Sequence, residues 1–115
     1  MSIPPEIQRI IEQINTELDE LDLMEARGLN SLRRIMSLFP ENAILTRYFG
    51  ILNSIQLFTR NARNEIQLLT ELVSQPNAPF EVVQECGEDL GTLQGKTIEL
   101  KEQITGILNF LENLP

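Results

Sequence analysis

Residues 83–114, VQECGEDLGTLQGKTIELKEQITGILNFLENL, place apolar or small side chains at Val83, Cys86, Leu90, Leu93, Thr97, Leu100, Ile104, Ile107, Leu111 and Leu114. Steps of three and four sustained over the whole stretch put these positions on one side of an α-helix, whereas a strand would alternate every second residue. A helix this long with one apolar side holds in water only against partners carrying matching stripes.

The preceding sequence supplies two such partners. Ile7, Ile11, Ile14, Leu18 and Leu21 form one stripe, which skips Glu25 and Gly28 and resumes at Leu32, Ile35 and Phe39. Tyr48, Leu52, Ile55, Thr59, Ala62, Ile66, Leu69 and Val73 form the other, widened by Ile44, Ile51 and Phe58. Pro4 and Pro5 open the first segment, Phe39-Pro40-Glu41-Asn42 separates it from the second, and Ser74-Gln75-Pro76-Asn77-Ala78-Pro79 precedes the third. Asn42 suits an N-cap and Pro79 a first helical turn. The pattern predicts an all-α chain forming one domain over 1–115, with helices at about 4–39, 43–74 and 79–114. Short turns make neighbours antiparallel, so the expected architecture is an elongated up-down-up three-helix bundle with heptad-like core stripes, each helix roughly 50 Å long. Gly28, which costs a helix about 1 kcal/mol relative to Ala, is the expected site of a kink. An alternative leaves the region around Gly87 and Gly91 non-helical and the third helix shorter.

Composition narrows the function. The chain has 115 residues, 17 Asp plus Glu against 9 Lys plus Arg, a formal charge of -8, one Cys and neither His nor Trp. Nucleic acid and anionic membrane surfaces are therefore not expected partners. No apolar run approaches the roughly 20 residues of a membrane span. A lone Cys forms no internal disulfide and the N-terminus lacks a signal-like apolar segment, so a cytoplasmic location is expected. Without His, most acid–base chemistry at neutral pH and most transition-metal sites are closed.

Several motifs tempt and fail. Gly91-Thr92-Leu93-Gln94-Gly95-Lys96-Thr97 resembles a phosphate-binding loop, but three residues instead of four separate its glycines and no strand precedes it. The acidic run Glu17, Asp19, Glu20, Asp22 and Glu25 lies on a helix that fans its carboxylates apart, and Glu99 with Glu102 lacks the His of a di-iron bundle. Cys86 lies on the core stripe with no His to serve as a base. No catalytic residue, cofactor or metal ligand is expected, and the chain is not expected to be an enzyme.

Two features ask for partners. Folding the first two segments about a turn near residue 41 brings Arg60 level with Asp22 and Arg63 level with Asp19, which predicts two ion pairs between helices. Leu23, Leu57, Leu68 and Ile98 fall opposite the core stripes. Gly87, Gly91 and Gly95 lie on the outer side of the third helix, where their small size suits close approach of a second helix. These glycines with Ile98, Leu57 and Leu68 form the expected protein interface, most simply that of a homodimer.

Ile3-Pro4-Pro5-Glu6-Ile7 and Gly87-Glu88-Asp89-Leu90-Gly91 resemble segments of small cyanobacterial helical proteins of unassigned function, a likeness that implies no activity. Some of those proteins carry a label referring to restriction-enzyme specificity subunits, whose long paired helices act as spacers, but this chain has no recognisable DNA-reading domain. In size the chain also resembles a spectrin-type triple-helical repeat, without the typical Trp. The expected function is a non-enzymatic interaction or scaffold module, a homodimer or partner-binding adaptor. The alternative is a small acidic helical chaperone holding an amphipathic client helix in an apolar groove.

Overall fold

A computed structural model describes residues 3–114; residues 1, 2 and 115 of the expected domain lie outside the described residues. Three helices account for the fold: α1 (Pro5–Leu38), α2 (Ala43–Val73) and α3 (Phe80–Glu112). Pro5 stands in the first turn of α1, where its missing N–H is no loss. Asn42 caps α2, its side-chain oxygen accepting from the backbone N–H groups of Ile44 (3.0 Å) and Leu45 (3.1 Å). Pro79 precedes α3 instead of entering its first turn, and its carbonyl accepts from the N–H groups of Val82 and Val83.

The helices pack pairwise into an up-down-up bundle measuring 58 × 19 × 17 Å. Two apolar clusters follow one another along it, each drawing on all three helices. One gathers Ile7, Ile11, Ile14 and Leu18 with Ala62, Ile66, Leu69, Val73, Cys86, Leu90 and Leu93. The other joins Leu21, Leu29 and Leu32 to Leu45, Leu52, Ile55, Leu100, Ile104, Ile107 and Leu111. Complete burial of a Leu or Ile contributes about 1.5–3 kcal/mol, so these clusters hold the rod together.

The stripes leave the core at one end. Phe39, Ile44 and Leu114 continue the spacing but are exposed, because all three lie at the end of the rod where no further helix covers them. α1 runs unbroken through Gly28, and α3 through Gly87, Gly91 and Gly95, so the alternative of a shorter third helix does not hold. Among the described residues no helix is long and apolar enough to cross a membrane.

Candidate functional site

Where α1 hands over to α2, the tight turn at Phe39–Asn42 is closed by backbone bonds from Phe39 N–H to Ile35 (3.1 Å) and from Asn42 N–H to Phe39 (3.2 Å). It abuts the last turn of α3, which Phe110 holds to α2 by an edge-to-face contact with Tyr48, ring centroids 5.4 Å apart. Ile35, Leu38, Phe39, Asn42, Ile44, Leu45, Phe110 and Leu114 thereby enclose an open apolar bowl of about 340 Å³. Leu45 is buried, whereas Leu38 is 72% exposed, Phe39 58% and Ile44 52%. The lining has no titratable side chain. Such a surface supplies apolar contact and no acid–base chemistry. Two shallower concavities flank Phe58 and Lys96 on the α2–α3 seam, but their walls include Glu65, Asp89 and Gln103.

Charge is segregated along the rod. Towards the bowl, residues 24–58 and 104–114 hold Arg27, Arg33, Arg34 and Arg47 against Glu25, Glu41 and Glu112, and the other acidic residues lie farther along the rod, Asp22, Glu99 and Glu102 near its middle. Arg27 pairs with Glu112. Arg33, Arg34 and Arg47 are exposed and form no ion pair among the described residues.

Glu25 was passed over by the stripe, yet it is only 6% exposed, and its Oε1 has no hydrogen-bond partner. Burial pushes its carboxyl above the ordinary carboxylate range, Asp22 adds to the rise, and Arg33 opposes it. No signal in the sequence marks it, since apolar periodicity registers a polar residue only as a gap. The bowl was equally hidden, its walls coming from residues far apart in the chain.

Of the two expected arginine pairs, Arg63 makes both contacts. Its Nη2 donates to Asp19 Oδ1 (2.9 Å) and Asp22 Oδ2 (2.6 Å). The Asp22 hydrogen bond raises the guanidinium pKa further, against the effect of burial. Arg60 makes no ion pair among the described residues and is exposed, a correction to the expectation. Three residues along a helix leave it about 60° away from Arg63, enough to turn it out of the α1–α2 seam. The acidic run is clasped from α3 as well, by Lys101 on Glu20 (2.5 Å) and Gln94 on Glu17 (3.2 Å). No group of three or more potential ligands gathers among the described residues to hold a metal.

The glycines divide. A Cβ on Gly87 would lie 3.2 Å from Ile7 Cδ1, so Gly87 lets α1 approach within the chain, whereas Gly91 and Gly95 face open space. Ile98 on α3 is exposed, as are Leu57 and Leu68, which stand about three turns apart on α2. Cys86 is buried, and desolvation, then Asp89 and Glu85, push its thiol pKa up. Comparison with known proteins finds no protein family, curated protein or solved structure that the chain matches.

Proposed function

We propose that the protein is a non-enzymatic protein–protein interaction module, an acidic helical adaptor that docks through the bowl at its α1–α2 end. The observation that carries this reading is the exposure of Leu38, Phe39 and Ile44 around one concavity, in a bundle whose own core is complete. Both core clusters are closed by the chain's own three helices, which favours a docking module over a chaperone with a lengthwise groove. The apolar lining of the bowl favours the side chains of a protein over the phosphates of nucleic acid or an anionic membrane, and the free thiol suits a cytoplasmic setting.

A photo-crosslinking residue at Phe39, introduced in the native cell, tests the reading, with Leu23 as the control position. A discrete crosslinked protein at Phe39 alone, lost when Ile44→Glu is added, is expected. Equal crosslinking at both positions, or none, overturns the proposal.

A homodimer is the second reading, favoured by the open space above Gly91 and Gly95 beside Ile98. Glu88 and Asp89 oppose it through like charge unless Lys96 or Lys101 of the other copy lies opposite. Gly91→Leu should convert such a dimer to monomer in a sedimentation experiment. A mass that is monomeric before and after removes this reading.

A further inference from the structure

This inference rests on the docking reading and specifies what docks. We propose that the bowl receives a short acidic segment of another protein, carrying one or two bulky apolar side chains flanked by Asp or Glu.

The apolar element follows from the lining, whose volume of about 340 Å³ lies at the small end of the roughly 300–1,000 Å³ typical of ligand pockets. The acidic element follows from the rim. Arg34 lies one helical turn before Leu38 and Arg47 one turn after Ile44, so each shares a helix face with one of the two most exposed aliphatic walls. Arg33 precedes Arg34 on α1, where its charge bears on Glu25. Few carboxylate side chains near this end of the rod answer these charges. Glu112 is engaged by Arg27 and Glu25 is buried, which leaves Glu41 exposed near this end among the described residues. Arg34 and Arg47, unpaired among the described residues and beside an apolar cavity, recognise carboxylates on the partner. The overall charge of -8 does not oppose this, because most of the acids lie at the middle and far end of a 58 Å rod and the Debye length in physiological salt is about 8 Å.

A second copy fits less well. A second copy joined bowl to bowl sets the arginine rims against each other and brings like charges together at the contact. The acidic far end of another copy, where Phe80 is 74% exposed, has suitable chemistry but would join rigid rods head to tail in a contact that does not close on itself. A flexible segment can instead follow the bowl over its rim.

The test selects a displayed library of random 12-residue peptides on the immobilised full chain, then measures a representative peptide by fluorescence anisotropy. Enriched peptides should combine bulky apolar residues with net negative charge. Binding should fall about tenfold or more with Arg34→Glu plus Arg47→Glu, be lost with Ile44→Glu and separately with Leu38→Glu, and be unchanged with Leu23→Glu. Circular dichroism checks that each variant folds. Neutral or basic peptides that still require Ile44 and Leu38 would overturn the acidic assignment while leaving the docking reading intact. Absence of any peptide that requires these residues would overturn both. Sedimentation of the protein alone adds a third arm: an oligomer dissolved by Ile44→Glu makes another copy the occupant and overturns the proposal.

Discussion

Gly28 of α1 lies directly beneath Leu52 of α2: a Cβ built on the glycine would stand 2.9 Å from Leu52 Cδ1 and 3.5 Å from Leu108 Cδ2. The missing side chain lets α1 settle against both neighbours. Gly28→Ala gains about 1 kcal/mol in helix propensity but overpacks a site where Leu52 is fully buried, a cost of about 1–3 kcal/mol. Net destabilisation is expected in urea unfolding. Gly50→Ala and Gly106→Ala, which meet nothing within 4 Å, should stabilise by about 0.5–1 kcal/mol. Equal stabilisation at all three positions would mean that Leu52 yields freely.

Glu25 makes stability depend on pH in a direction opposite to that of a paired carboxylate. Its folded-state pKa is raised above 4.5, first by desolvation and then by Asp22, so its ionised form fits the unfolded chain better than the folded one. The resulting penalty is fully present above the folded-state pKa, shrinks as pH falls through that value, and is gone below 4.5. Glu25→Met, which fills a similar volume, should stabilise by about 1–3 kcal/mol at neutral pH, and the gain should diminish on acidification. Comparing variant and parent at each pH cancels the other carboxylates. A pH-independent difference would show that Glu25 stays ionised or reaches solvent.

Arg63 and Arg60 should separate cleanly. Because Arg63 is half-exposed, Arg63→Ala should cost no more than about 1 kcal/mol, and less at high salt, while Arg60→Ala should be neutral. Equal losses in denaturant titrations at two salt concentrations would mean that Arg60 also reaches the acids of α1.

Asn42 holds the α1–α2 turn at the edge of the bowl. Asn42→Ala removes the acceptor for two N–H groups and should cost about 1 kcal/mol, whereas Asn42→Asp keeps the cap and adds a favourable charge at the helix N-terminus. Thermal melts that rank Asp below Ala would contradict this role.

The three helices were legible because Pro4-Pro5, Pro40-Glu41-Asn42 and the Pro76–Pro79 stretch interrupt an otherwise continuous period, and because only three mutually packed helices bury three wide stripes. Every member of the α3 stripe from Cys86 to Leu111 is buried. What escaped was what periodicity does not encode. The two gaps in the first stripe, Glu25 and Gly28, are both buried, one an unpaired acid and the other a point of close approach. Register located Arg63 within a turn of its partners but did not fix the rotation that carries Arg60 away. The bowl was hidden for a different reason, since Phe39, Ile44 and Leu114 keep the core spacing and only the end of the rod makes them surface.

Cys86 gives the molecule a built-in clock. Its thiol is buried among Ile7, Ile11, Leu69, Val73 and Leu90, and the protein has no other cysteine to compete for a reagent. A thiol-reactive dye therefore labels the chain only while the end of the bundle farthest from the bowl is open, and the labelling rate at high pH counts those openings. If that end frays independently, labelling outpaces global unfolding. If the rod opens as one unit, the two rates coincide, and the clasped acidic run and the distant bowl share a single fate.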